Sequence, residues 1–600
     1  MMESGKQMRR RAIGIIAVAS LWGARAWAGP MLRVVAEPGQ AAPGTGGPFL
    51  NTSNVIINNA GDVAFRSFAY PSSGTADGIW STAPGTLTLL TRTDAIAPGT
   101  GGQQFVQLSG LNEMNLDDAG DVGFRGQINN ATAGPWGVWI GRPTSLRNIM
   151  LEGSPPPDTP SGFTYGFPSP PALNSSGHTA FFAQLTGPSP SPTVDNSGIW
   201  SDVSGTMHLV ARAYGSASGI PGATFADFTS PSLNNEGQVA FGAGYLPAPN
   251  SNALESGLWV GSNGSFAPIY RSGMIAPGTG GKVFDSFLDP ALNDAGRLAF
   301  MSYLRGVDPA HSKGYWSNAT GTLQLIAREG DPAPGAPGLT FHALDRFRIS
   351  SSGRVAFLAT AMSGNGVDQY GLWAGLPGQA RLVALSGRQV PFLPAGTTFV
   401  GFGAAIDLNA SGLLVFAAQY RLPDATFGQA LFADDSGGNL IPLLRSDETV
   451  SGRHIQQLDL PGFTGGDASG FSRYLNNSGR IAFSLGFTDN TVGVYTLAVP
   501  PAGDVSQDGV VNFTDLLVLA QHYGAIDATY EQGDLNGDGR VDFADLLVLA
   551  QHFDQSAAGP AAASSVPEPD VGGIAATSIL LVGRRSRKRR STRARPDGAT

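Results

Sequence analysis

One short pattern, Asn-x-x-Gly-x-Val-Ala-Phe, recurs eight times between residues 31 and 499 and limits the fold more than any other feature of the chain. It runs from Asn58 to Phe65, Asp117 to Phe124, Asn174 to Phe181, Asn234 to Phe241, Asn293 to Phe300, Ser350 to Phe357, Asn409 to Phe416 and Asn476 to Phe483. Its glycines stand 57 to 60 residues apart, except the last pair, Gly412 and Gly479, which are 67 apart. A fixed period of this length means one supersecondary unit copied many times, with neighbouring copies burying a shared core.

The local physics of the pattern is a turn feeding a strand. Asn, Asp or Ser at the start can bond the backbone two or three residues on. Glycine three places later supplies a positive φ at no steric cost. Two further elements accompany each copy. The first is Gly-x-Trp, at Trp80, Trp139, Trp200, Trp259, Trp316 and Trp373, with Phe432 and Tyr495 in the last two places. The second is an apolar strand with a basic or polar end, as in Leu89–Arg92, Leu209–Arg212 and Leu325–Arg328, which often precedes Ala-Pro-Gly. Each unit therefore predicts four strands, and four-stranded units repeated radially make a β-propeller. The stretch 31–45 copies the third element ahead of the first complete unit, and the eighth unit lacks that element after Tyr495. The first strand is thus expected to complete the last blade and remove an open sheet edge. The fold class expected is mainly β, an eight-bladed propeller over 29–499 followed by a small α module over 500–555.

That module carries the chemistry. Asp504–Asp515 and Asp534–Asp545 are twelve-residue segments with oxygen side chains at positions 1, 3, 5, 9 and 12 and glycine at position 6. Calcium is a hard ion that takes six to eight oxygens, and this alternation aims successive donors at one centre. The expected ligands of two Ca2+ ions are Asp504, Ser506, Asp508, the Val510 carbonyl, Asn512 and Asp515 in the first loop. In the second they are Asp534, Asn536, Asp538, the Arg540 carbonyl, Asp542 and Asp545. Each loop leads into the same Asp-Leu-Leu-Val-Leu-Ala-Gln-His run. There Phe513, Leu516, Leu517 and Ala520, and likewise Phe543, Leu546, Leu547 and Ala550, form one apolar helical face. His522 and His552 are expected on the helix surface.

The duplicated loop-helix with Asp at position 12 resembles the type I dockerin domain over about 50 residues, matched on the calcium-loop template. The resemblance implies docking onto a cohesin-like module through loop positions 10 and 11 and the following helix. Those positions are Phe513 and Thr514, then Phe543 and Ala544, which depart from the common Ser-Thr pairing of cellulosomal dockerins. The tandem pattern of 31–499 resembles the bacterial NxxGxxAF repeat family, a likeness that implies no activity.

Both ends read as addresses. Arg9–Arg11, an apolar run from Ala12 to Trp22, and Ala26-Trp27-Ala28 form a signal peptide over 1–28. Val566-Pro567-Glu568-Pro569, an apolar run from Val571 to Val582 and the basic cluster from Arg584 to Arg590 make a three-part tail. This tail, 566–595, resembles the PEP-CTERM sorting signal, which implies processing by an exosortase-type enzyme and delivery to the cell surface or extracellular matrix. The stretch 556–565, rich in Ala, Gly, Pro and Ser, reads as a linker.

The chain has 37 basic and 46 acidic side chains. Setting aside residues 1–28 (five basic, one acidic) and 584–600 (eight basic, one acidic) leaves 24 against 44. A body that acidic should repel nucleic acid and favour cations. There is no cysteine, which excludes disulfides and thiol chemistry. The propeller shows no Gly-x-Ser-x-Gly, His-Glu-x-x-His or P-loop, and His178, His208, His311, His342 and His454 are scattered. Catalytic residues are therefore not assigned. The favoured expectation is an exported, non-catalytic binding platform for a polysaccharide or surface partner, with a calcium-dependent docking module. A polysaccharide-degrading hydrolase or lyase and a structural envelope component are the alternatives. An enzyme should show acids or basic residues that break the repeat at one mouth of the channel.

Overall fold

Each copy of the pattern sits at the joint between the innermost and second strands of a four-stranded antiparallel sheet. The computed structural model describes residues 26–27 and 31–557, apart from 70–75, 84, 109–112, 129–133, 188–195, 249–250, 252, 461–469 and 471. The segments expected to be a signal peptide, a linker and a sorting tail lie outside these residues, except for 26–27 and 556–557. Ala26–Trp27 form a two-residue strand parallel to Thr449–Val450.

The described residues form eight sheets on this plan, three with the inner strand in two pieces and the last with a short added pair, so the protein is an eight-bladed β-propeller. In the first blade the strands are Phe49–Ile57, Val63–Ala69, Ala76–Ser81 and Thr88–Arg92, paired in that order. The eighth blade is made of Arg453–Asp459, Arg480–Phe487 and Val492–Ala498, and its outer strand is Leu32–Ala36 from the start of the chain. Leu32 pairs with Leu497 and Val34 with Tyr495, as the sequence predicts.

The three sequence elements meet inside each blade. In the first, Phe65 stacks on Trp80 at 6.1 Å, and Phe49 meets the same indole edge-on at 5.1 Å. Such pairs add about 0.5–1.5 kcal/mol each beyond the area they bury. The buried indole also needs an acceptor, and the Ala-Pro-Gly turn supplies it. Trp80 Nε1 donates to the Pro43 carbonyl at 3.0 Å, Trp139 to Pro98 at 3.1 Å and Trp373 to Pro334 at 2.9 Å. The Trp80–Pro43 bond means that residues 31–45 serve two blades, the eighth through Leu32–Ala36 and the first through Pro43.

The leading Asn does two jobs. Its Oδ1 holds the turn, mostly from four residues on rather than two or three: Asp62 N donates to Asn58 and Arg480 N to Asn476. Its Nδ2 reaches the next blade. Asn58 donates to the Asp117 carbonyl, Asn174 to Asn234, Asn234 to Asn293, Asn293 to Ser350, Asn409 to Asn476, and Asn476 back to Asn58, at 2.8–3.3 Å. The blades are stitched into a ring by the motif itself. Asp117 and Ser350 cannot donate in this way. At Ser350 the gap is filled by Ser352 N on the Ala410 carbonyl and by Arg354, which reaches the Gly412 carbonyl and pairs with Asp434.

The longer last repeat also has a structural reason. Gly470 accepts Leu173 N of the third blade at 2.7 Å and lies against Leu233 of the fourth. Arg473 accepts Ile57 N of the first blade and pairs with Asp118 of the second at 3.1 Å. Gly470 and Arg473 of the last repeat thus touch the first four blades between them.

Among the described residues no helix is long and apolar enough to cross a membrane. The two α-helices, α1 (Phe513–Gln521) and α2 (Phe543–Gln551), belong to the C-terminal module. That module lies in the same compact unit as the propeller, which ends at Gly559.

Candidate metal centre

The two loops are built alike, thirty residues apart. Asn512 and Asp542 cap the helices, and Asp515 and Asp545 answer three residues on, a reciprocal capping box in each case. Caps of this kind are worth about 1 kcal/mol each. After each helix the chain returns to pair with the other loop. Gly524 N donates to the Val541 carbonyl at 2.8 Å, and Asp554 N donates to the Val511 carbonyl at 2.9 Å. Neither loop is complete without the other.

The position 1 and position 12 carboxylates form a buried frame: Asp504, Asp515, Asp534 and Asp545 are all 0% exposed. Asp504 accepts Asp508 N and Gly509 N, at 3.2 and 2.9 Å, and Asp534 accepts Gly537 N, Asp538 N and Gly539 N at 2.8–3.2 Å. Asp515 accepts Ser506 N and Asn512 N at 2.8 Å, and Asp545 accepts Leu535 N, Asn536 N and Asp542 N at 2.8–3.1 Å. Glycine at position 6 is required by the backbone, since Gly509 and Gly539 have φ of 93° and 83°.

Burial pushes the Asp504 carboxyl up to about 7, and the like charges of Asp515 and Asp508 act in the same direction. Asp534 is pushed up to about 6 by burial, with Asp545 and Asp538 adding to it. A cation at these positions would relieve both effects. Ser506 Oγ at position 3 is buried and has no hydrogen-bond partner. An orphaned oxygen among buried acids fits the donor set of a hard cation. Carboxylates and imidazoles alone do not make the site: among the described residues no three His, Cys, Asp or Glu side chains converge as a metal cluster. The loops offer mixed donors instead, with the Ser506 hydroxyl, Asn512, Asn536 and the Val510 and Arg540 carbonyls beside the acids.

The helix faces differ from the periodic reading. The core is filled by Val511, Leu519, Val541 and Leu549, with Leu516 and Leu546 only partly buried against it. Phe513 is 69% exposed and Phe543 67%, and Leu517 and Leu547 are exposed beside them. The apolar face found by helical spacing therefore points mostly to solvent, once on each helix. His552 is also not a plain surface residue: its Nε2 lies 3.4 Å from Asp435 of the seventh blade.

Residues that break the repeat near the axis exist, but they are buried and structurally engaged. Where other blades carry Ile56, Asn115, Ala172, Ser232 and Ala291, the sixth to eighth carry Arg348, Asp407 and Tyr474. Asp407 accepts Tyr474 N and Leu475 N at 2.9 and 3.1 Å, tying the last inner segment to the seventh blade. Burial pushes its carboxyl up to about 7 against the opposing charge of Arg348.

The fold and site together define an eight-bladed propeller bearing a paired-loop helical module. The model of a family of unknown function, DUF7453, matches residues 28–260 and 247–503, and the chain belongs to that family. Residues 502–554 match the dockerin type I domain. No curated protein sequence matches the chain. Similar solved structures include the propeller domain of the Trilobed protease from Pyrococcus furiosus, described as having an open velcro topology (9% identity, 64% of this chain and 93% of that one, TM-score 0.32). Others are the Dos1 propeller (11%, 77% and 95%, 0.33) and polysaccharide lyase Uly1 (10%, 67% and 90%, 0.32).

Proposed function

We propose that this protein is an exported, non-catalytic propeller platform whose dockerin-type module binds two calcium ions and docks onto a cohesin-like partner. The ions are held by Asp504, Ser506, Asp508, the Val510 carbonyl, Asn512 and Asp515, and by Asp534, Asn536, Asp538, the Arg540 carbonyl, Asp542 and Asp545. The observation that carries the docking role is the duplicated exposed face, Phe513 with Leu517 and Phe543 with Leu547. Large apolar side chains held out on a rigid, capped helix favour a partner surface over solvent. The buried state of Arg348 and Asp407, and the contacts of Gly470 and Arg473 with the first four blades, favour a platform over an enzyme.

A type I cohesin module is the direct probe. Binding should require calcium. Because the two faces are copies, Phe513→Asp or Phe543→Asp alone should weaken it less than the two together, which should cost about tenfold or more by loss of apolar anchors. Binding that ignores chelator, or survives the double variant, refutes the assignment. Export and sorting rest on the residues of 1–28 and 566–595. Mass spectrometry of protein from the native cell surface should find both segments removed, and an intact Arg584–Arg595 would contradict exosortase-type processing.

A further inference from the structure

We infer that the dockerin-type module is a calcium-set clasp on the seam of the propeller, where the first strand joins the last blade, and not a free arm. The inference rests on the reading of its loops as calcium sites.

The first loop sits on the seam. Met31 is 3% exposed and shares one apolar core with Val505, Val511, Leu519 and Leu549 of the module and with Leu497 and Val499 of the eighth blade. Its carbonyl accepts Ala498 N at 3.1 Å, at the end of the strand that pairs with Leu32–Ala36. A Cβ added at Gly509 would lie 3.7 Å from Met31 Sδ, so position 6 of the loop faces this side chain. The Gly509 amide is in turn held by Asp504 at 2.9 Å. The loop that holds Asp504 thus packs, through Val505 and Val511, on the same core as Met31 and the closing strand pair.

The second loop sits on the neighbouring blade. Gly537, at position 4, is so close to Pro391 that a Cβ would meet Pro391 Cβ at 2.6 Å. The corresponding position of the first loop is Gln507, which keeps a side chain despite its φ of 58°. Phe392 meets Tyr530 of the module edge-on at 5.3 Å. It does so from a φ of 66°, a backbone region that costs a bulky residue strain and persists only where packing enforces it. Two independent features, a glycine fitted to a proline and a strained phenylalanine seated in the module's core, mark a built interface.

Loops that order on binding calcium will therefore order the surface that covers Met31 and Phe392. Linkage then requires the reverse: an intact seam must favour calcium binding by the same factor.

All nine tryptophans precede residue 374, so indole fluorescence reports the propeller and is blind to the module. The test uses the full chain, with calcium alone as the probe. Calcium uptake is measured by titration calorimetry, and heat unfolding is followed by tryptophan fluorescence with calcium and with chelator. Calcium should raise the tryptophan midpoint by about 2 °C or more. Phe392→Gly removes the ring while relieving the left-handed backbone, so the propeller should still fold, and calcium affinity should fall about fivefold or more. Calcium uptake with an unmoved tryptophan midpoint and an unchanged affinity in Phe392→Gly would overturn the clasp and leave the calcium reading standing. Absence of calcium uptake would overturn both.

Discussion

The side-chain amide of Asn476 donates to the carbonyl of Asn58 at 3.0 Å, across 418 residues of sequence. This bond joins the last turn of the ring to the first. It repeats, at the point of closure, the bond that five other blades make to their neighbours. The leading residue of the repeat is Asn rather than Asp or Ser because one end of the amide holds the turn while the other crosses to the next blade.

Asn476 is 1% exposed, so losing its amide leaves the Asn58 carbonyl buried without that donor. Asn476→Ala should destabilise the propeller by about 1–3 kcal/mol. Asn365→Ala, in an exposed loop, should change stability by no more than about 0.5 kcal/mol. Denaturant unfolding followed by tryptophan fluorescence checks both.

Asp117 occupies the same place in the second blade, where an acid cannot donate as Asn does. It is 1% exposed and its Oδ2 has no partner. Burial pushes its carboxyl from the ordinary 3.8 up to about 6. The folded state holds the proton more tightly, so its contribution to stability is greatest below pH 4, is lost as pH rises through 6, and is flat above that. Asp117→Asn should restore a neutral amide at this place. It should exceed the wild type in stability by about 3 kcal/mol at pH 7.5, and the gain should shrink towards pH 4, following the linkage of roughly 1.4 kcal/mol per pKa unit. A pH-independent difference between the two proteins would contradict the assignment.

The glycine of Gly-x-Trp lies beneath the indole it precedes. A Cβ at Gly314 would meet Trp316 Cη2 at 2.6 Å, whereas one at Gly364 would meet nothing within 4 Å. Gly314→Ala should cost about 1–3 kcal/mol by overpacking, and Gly364→Ala should be close to neutral. Their melting temperatures, compared side by side, decide it.

The turn glycines, the Trp strands and the orphan strand at 31–45 were legible because each acts within its own repeat or completes a visible gap. The Asn stitches were harder to read, because a donor and its acceptor stand a whole repeat apart and only the ring brings them together. The 67-residue spacing between Gly412 and Gly479 signalled extra chain, but not that Gly470 and Arg473 would touch four other blades. On α1 and α2 the spacing of Phe513, Leu517 and Ala520 marked an apolar face correctly. Period alone could not show that Val511 and Leu519 would take the core. The oxygen-bearing side chains at fixed loop positions were readable in full, and they are the basis for proposing calcium there. Their seating on Met31 and Phe392 was not, because that contact depends on where the ring closes.

The account turns on the paired loops holding calcium, and titration calorimetry of the full chain with calcium measures this most directly. Asp508 and Asp538 stand at position 5, exposed, outside the buried frame of Asp504, Asp515, Asp534 and Asp545. Their substitution should therefore remove a ligand without breaking the loop. Two ions should bind to the wild type, one to Asp508→Ala, one to Asp538→Ala and none to the double variant. Absence of calcium uptake by the wild type, or uptake that the double variant leaves intact, would contradict it.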